Sequence, residues 1–338
     1  MGGDHAPREV VHGARQAALA GGLSILLVGD SDLLESELRR LGGRPENIEI
    51  VHSPEVVGMD EPAITPLRKK KQSSIRICAD LVKEGRAHAM VSAGNTGAVM
   101  IAAKMVMGTI TGVDRPALAA EFPNPRGRTV VLDVGANVDT KPEHLREFAV
   151  MGHFYAQEVN GIHSPRIGLM SIGEEDSKGT EVTRAVFRVL QQTGLNFVGN
   201  VEGRDAFSGS VDVIVCDGFV GNVLLKSAEA VAELLKTLLR RELQKSPIRQ
   251  LGALLARPAF ESLARRTDYQ EYGAAPLLGL QGGCFVAHGR SSATAIKNSI
   301  LRAAEFSAAN LHNKIRDKVA QLHSEEQRVL GPQEASAG

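Results

Sequence analysis

The chain contains no tryptophan, and aromatic residues make up only 4% of it, so it has little material for the stacked-base platforms of proteins that bind single-stranded nucleic acid. It also lacks a charge of one sign. Lys plus Arg and Asp plus Glu number 39 each, which argues against wholesale attraction to nucleic acid or a membrane and makes any electrostatic signal local. No nucleic-acid partner is expected. Cysteine is scarce, with Cys78, Cys216 and Cys284 far apart in apolar surroundings. That pattern suits buried thiols in a reducing cytoplasm, and it offers neither a disulfide framework nor metal-ligand spacing. No metal or cofactor is expected. No apolar run approaches the roughly 18 residues that span a bilayer, and MGGDHAPREV lacks the apolar centre of a signal peptide. The expectation is a cytoplasmic protein, at most peripheral at the inner face of the cell membrane.

What the chain does have is glycine, 35 residues in 338, placed where buried strands end. The patterning predicts strands at Ser24–Val28, Asn47–Val51, Ala87–Val91, Arg115–Phe122, Thr129–Asp133, Arg166–Ile172 and Val211–Val215. Amphipathic helices are expected at Val10–Leu19, Asp32–Leu41, Ile75–Glu84, Ala98–Met107, Pro142–Val159 and Ser291–Ala309. This alternation implies an α/β fold with a mostly parallel sheet covered on both faces.

The segment VDVIVCDGFVGNVLLK, from Val211 to Lys226, reads as strand, turn and helix start, with Asp217, Gly218, Asn222 and Lys226 at one mouth. Such a turn offers free N–H groups and a helix dipole to an anion. VSAGNTG repeats the pattern with Ser92, Gly94, Asn95, Thr96 and Gly97, and DVGANVD repeats it with Asp133, Gly135 and Asn137. After the strand ending at Ile172 comes GEEDSKG, which puts Lys178 near an anion or leaves it in a solvated turn. His288 follows another short strand, CFVA.

Two stretches are basic. Arg68, Lys69, Lys70 and Lys71 close a long Pro-rich segment, too long to be mere connection. A helical hairpin at about 222–266 carries leucines, among them Leu254 and Leu255, beside Arg240, Arg241, Arg257, Arg265 and Arg266. An apolar face with a cationic rim suits a partner chain, a core or an anionic membrane surface. Residues 1–309 are expected to form one α/β domain containing this hairpin, and residues 310–338 a polar, flexible tail.

MGGDHAP, LRKKKQSS, VSAGNTGA, VLDVGANVD, IGEEDSKG, NVEGRD, VCDGFVGNVLLK and AHGRSS together resemble, in order and spacing, the bacterial phosphate acyltransferases, from Met1 to about Ala309. The resemblance implies a three-layer α/β/α fold similar to phosphotransacetylases and isocitrate-dehydrogenase-type enzymes, and a homodimer. It implies orthophosphate and acyl carrier protein as substrate and partner, and acyl-phosphate for phospholipid synthesis as product. In that family a short apolar strand precedes the MGGD motif, so the natural start is expected upstream of Met1. Acyl carrier protein is acidic, which makes Arg68–Lys71 or the Arg-rich hairpin its dock.

For phosphate to attack a thioester carbonyl, the site needs cations, N–H donors and help for the leaving thiolate. Lys178 is the first choice of cation, and Asn222 and Asn95 are candidate donors. Asp217 and Asp133 are expected to orient other groups, and His288 to assist proton transfer. The alternatives are a phosphotransacetylase acting on a coenzyme A thioester and a non-catalytic membrane-associated scaffold.

Overall fold

Buried β-branched runs and amphipathic helices alternate along the chain, and each apolar face finds its partner in a layer. The computed structural model describes residues 1–267 and 273–330. Its first part comprises α1 (Arg8–Leu19), β1 (Ile25–Gly29), α2 (Ser31–Arg40), β2 (Ile48–His52), α3 (Thr65–Arg68), α4 (Ser74–Lys83), β3 (Ala89–Ser92) and α5 (Thr96–Met107). The middle comprises β4 (Ala117–Asn124), β5 (Gly127–Leu132), α6 (Pro142–Glu158), β6 (Ile167–Met170), α7 (Glu181–Gln191), β7 (Phe197–Val201), α8 (Asp205–Ser208) and β8 (Val213–Val215). Then follow α9 (Gly218–Leu243), α10 (Pro247–Leu255), α11 (Arg257–Thr267), β9 (Ala275–Leu278), β10 (Gly283–Val286), α12 (Ala293–Ala308) and α13 (Leu311–Leu330).

An eight-stranded sheet runs in the order β3-β10-β9-β4-β5-β8-β6-β7. Its two flanks are parallel, β3 with β10 and β5 through β8 and β6 to β7. Antiparallel pairings of β10 with β9, β9 with β4 and β4 with β5 join them. Three reversals leave the flanks pointing in opposite directions. The carboxyl ends of β3 and β10 therefore lie at one edge of the sheet, and those of β5, β8, β6 and β7 at the other. β1 and β2 form a separate parallel pair, closed by Val11, Leu34 and Leu38 of α1 and α2.

Side-chain alternation sorts the two faces. On β5, Val130 and Leu132 join the core beneath α6, α12 and α13, while Val131 joins the core beneath α4 and α5. Val213, Ile214 and Val215 of β8 alternate in the same way.

The structure corrects several expectations. Past Ala309 the chain does not become a loose tail, because α13 places Leu311, Ile315, Val319 and Leu322 in the core, each at most 5% exposed. Their spacing of four, four and three residues is one helix face. α7 occupies a stretch for which no element was expected, capped by the Thr180 hydroxyl accepting from Thr183 N at 3.1 Å. The helix leaving VDVIVCD starts at Gly218, four residues before Asn222, since Asp217 takes the N-cap position. Tyr272, the side chains of Arg265 and Arg266, and residues 331–338 lie outside the described residues.

Candidate functional site

At the edge where β5, β8, β6 and β7 end, three of the Gly-bearing turns come together. Asp133 is fully buried and takes five hydrogen bonds, from Leu118, Gly135, Ala136 and Asn137 N and from Asn137 Nδ2, at 2.6–3.1 Å. Burial raises its carboxyl above the ordinary carboxylate range, and the donors pull it partly back. This carboxylate builds the turn by consuming the N–H groups that would otherwise face an anion. Asn137 is spent likewise, donating to Pro116 O at 2.8 Å and accepting on its own carbonyl from Gly218 N at 2.7 Å.

Glycines bring the next turn against this one. A Cβ on Gly218 would stand 2.7 Å from Asn137 O, and one on Gly221 would collide with the Asp133 carbonyl, so α9 starts in contact with backbone. Asp217 accepts from Val220 N at 2.8 Å as the α9 cap, which leaves Phe219 N as the amide of that first turn without a described acceptor. Asn222 is exposed and borders Gly135, whose Cβ position lies 3.6 Å from Asn222 Oδ1. In the loop after β6, Asn200 Nδ2 holds Glu175 O at 2.8 Å and Arg204 holds Glu174 at 2.7 Å. Lys178 is exposed there. Among the described residues, neither Lys178 nor Asn222 has a hydrogen bond or ion pair from its side chain. Lys226, by contrast, pairs with Glu229 at 2.8 Å along its own helix.

The VSAGNTG turn stands at the opposite edge, past β3. Val286 pairs with Ser92, and Ala287 N donates to Ser92 O at 2.8 Å, which sets the His288 turn beside it. Gly3 wedges between them, its Cβ position 2.8 Å from Ala93 O and 3.3 Å from Gly289 O, and Asp4 N donates to Gly289 O at 2.9 Å. Asn95 is the α5 cap, accepting from Ala98 N at 3.0 Å. Its Nδ2 donates to the carbonyls of Gly58, Met59 and Glu61 at 2.8–3.3 Å, which fastens that loop and leaves no free amide for a substrate. Ser92 Oγ accepts from Gly94 N at 3.2 Å. The N–H groups of Asn95, Thr96 and Gly97 have no acceptor among the described residues, and Thr96 is exposed.

Cations surround this second turn. Lys70 bonds Val56 O at 2.6 Å and pairs with Glu61, whose carboxyl is held low chiefly by that bond and further by the Lys69 charge. Arg68 and Lys69 are exposed, and Arg290 lies 3.7 Å from Asp4. The MGGD segment and the 57–61 loop complete this corner. Sequence reasoning did not place either there; the adjacent Gly2 and Gly3, whose Cβ positions would meet Val57 O and Ala93 O, are the signal it could have used.

The hairpin grows out of α9, whose Leu224, Leu225 and Ala228 still pack against the core before it leaves the fold. α9 is 26 residues long and buries only Gly218 and Gly221, and α10 buries none. Leu254 and Leu255 are 63% and 76% exposed, and Arg240, Arg241 and Arg257 share the arm, Arg257 pairing with Glu261 at 2.7 Å. Among the described residues, no helix is long and apolar enough to cross a membrane.

The layers, the sheet and the turns at strand ends are those of the phosphotransacetylase fold. The structure matches a phosphotransacetylase from Streptococcus pyogenes with a TM-score of 0.63 at 19% identity, covering 90% of this chain and 92% of that one. A branched-chain phosphotransacylase from Enterococcus faecalis matches at 0.54 and 14% identity, covering 90% and 96%. The chain belongs to the fatty acid synthesis protein family, whose description matches residues 1–314. It is 50% identical to the phosphate acyltransferase of Pelotomaculum thermopropionicum over 95% of this chain and 94% of that protein. It is 52% identical to the phosphate acyltransferase of Heliobacterium modesticaldum over 89% and 90%.

Proposed function

We propose that this protein transfers a fatty acyl group from acyl carrier protein to orthophosphate, giving acyl-phosphate for phospholipid synthesis. Close kinship with phosphate acyltransferases supports the reaction, and the observation that carries the site is the α5 N-terminus. Three amides without acceptors among the described residues, at Asn95, Thr96 and Gly97, lie at the start of a 12-residue helix in a corner rich in Lys and Arg. Phosphate bound there meets N–H donors and the positive end of the helix dipole. A phosphate oxygen then attacks the thioester carbonyl carbon, the new O–C bond forms, the C–S bond breaks, and the proton given up by hydrogen phosphate goes to the departing thiolate. His288, across the turn from Ser92, carries that proton in this reading. Helix N-terminal amides stabilise the developing oxyanion without reorganising.

Arg68 to Lys71 adjoin the same corner, which favours them over the hairpin as the dock for an acidic carrier protein. Lys178 and Asn222, both without a partner among the described residues, support a second reading in which phosphate binds at the other edge, between α9 and the loop after β6. α9 offers Val231, Leu234, Leu235, Leu238 and Leu239 as a stripe for a second copy in a homodimer, and Leu251, Leu254 and Leu255 of α10 suit the inner membrane face.

Acyl-phosphate formation with acyl carrier protein thioester is expected to require added phosphate and to be faster than with the coenzyme A thioester. Equal or better use of the coenzyme A thioester would make the protein a phosphotransacetylase. Absence of acyl-phosphate with either donor would leave only a non-catalytic scaffold.

A further inference from the structure

A cavity of about 350 Å³ opens beside the β4–β5 turn, at the amino end of β5. β5 carries six residues from this cavity to the Asp133 turn, about 20 Å of extended chain, so the two places are separate. Arg126, Arg128, Arg302, Asn160 and Asp212 line it. The acids nearby are already committed. Arg166 holds both Asp212 oxygens at 2.9 Å, which outweighs burial and keeps that carboxyl low. Glu121, behind the cavity, pairs through one oxygen with Arg128 at 2.8 Å and through the other with Arg302.

The donors are in surplus. The Arg126 guanidinium has no hydrogen-bond or ion-pair partner among the described residues, although its charge reaches Asp212. Asn160 Oδ1 accepts from Arg302 Nη2 at 3.1 Å, which fixes the orientation of the amide. Asn160 Nδ2 is then left shielded from solvent with no partner among the described residues. This inward-turned N–H adds a positive partial charge to a wall already rich in guanidinium groups.

We infer that this cavity is a binding site for a small phosphomonoester. A phosphate group against Arg126 would use its unspent guanidinium donors, which match phosphate in geometry as well as charge, in a wall whose other cations, Arg128 and Arg302, share the Glu121 carboxylate. The volume is that of about ten liquid waters, so it admits an organic part beyond the phosphate. Val159 gives that part an apolar wall.

Calorimetric titration of the full chain with glycerol 3-phosphate, and separately with inorganic phosphate, tests this. Both titrations use a Thr96→Asp background, so that phosphate at the α5 turn does not contribute. Glycerol 3-phosphate is expected to bind, about tenfold more weakly after Arg126→Ala and not measurably after Arg126→Glu, an exposed position whose change leaves the fold intact by circular dichroism. Heat from inorganic phosphate alone, lost after Arg126→Glu, would support the anion site but identify free phosphate as its ligand. Binding that Arg126→Glu leaves unchanged, or no binding of either probe to the parent, would overturn the inference, whatever the outcome of the acyl-transfer assay.

Discussion

Asp133 is held by five donors around one buried carboxylate, and that arrangement fixes what its replacement does. Asp133→Ala strips the acceptor from four backbone amides, each worth about 1–3 kcal/mol when left buried and unpaired. Urea denaturation is expected to show a loss above about 4 kcal/mol, or no soluble protein. Asp217→Ala removes only a helix cap and should cost about 1 kcal/mol in the same measurement. Thr96 behaves in the opposite way. A carboxylate at the first position of α5 complements the dipole and should hold or raise stability, yet it repels phosphate from the same amides. Steady-state kinetics of Thr96→Asp should show KM for phosphate raised about tenfold or more with KM for the acyl thioester little changed. An unchanged KM for phosphate, with a 10²- to 10³-fold loss of rate in Asn222→Ala instead, would move the site to the other edge.

At the scale of elements, α13 is core where a loose tail was expected, while the hairpin protrudes as the sequence suggests. Four α13 side chains are buried, each worth roughly 1.5–3 kcal/mol. Truncation after Ala309 is therefore expected to lower the urea midpoint sharply or to leave the protein insoluble. Leu311→Ala alone should cost about 2–5 kcal/mol. The hairpin buries so little of itself that Leu254→Glu with Leu255→Glu should leave thermal stability unchanged while weakening co-sedimentation with anionic vesicles. Unaltered sedimentation would remove the membrane role. The hairpin was legible in the sequence because a leucine face beside arginines stands out. α13 was missed because its polar composition, typical of a surface helix, obscured a regular apolar face. The mouths were legible as strand ends with glycine, but which amides stay open was not. That depends on Asp133, Asp217 and Asn95 turning their side chains back onto their own turns, and residue type does not reveal that choice.

Across the whole molecule, burial also sets a pH response. Glu147 of α6 is buried against Asp114 and Arg146, and desolvation pushes its carboxyl from an ordinary 4.5 to about 7, opposed by the Asp114 N–H at 3.0 Å. The folded state thus keeps a proton that the unfolded chain releases. The stability contribution is complete below about pH 4.5 and is lost as pH rises through about 7. Relative to Glu147→Gln, the parent should lose on the order of 3 kcal/mol across that window, measured by urea unfolding at several pH values. A constant difference between the two proteins would contradict the assignment.

The sequence by itself determined the layered α/β class, the strands, the glycine turns and the family, because these follow from local periodicity, turn chemistry and motif order. Only the tertiary structure decided where those turns lie. Hydrogen-bonding pattern, not residue pattern, makes β9 and β4 run against their neighbours, and the resulting reversals send VSAGNTG to one edge and DVGANVD with CDGFVGN to the other. Strand polarity is a property of pairing between distant segments, and no stretch of sequence carries it alone.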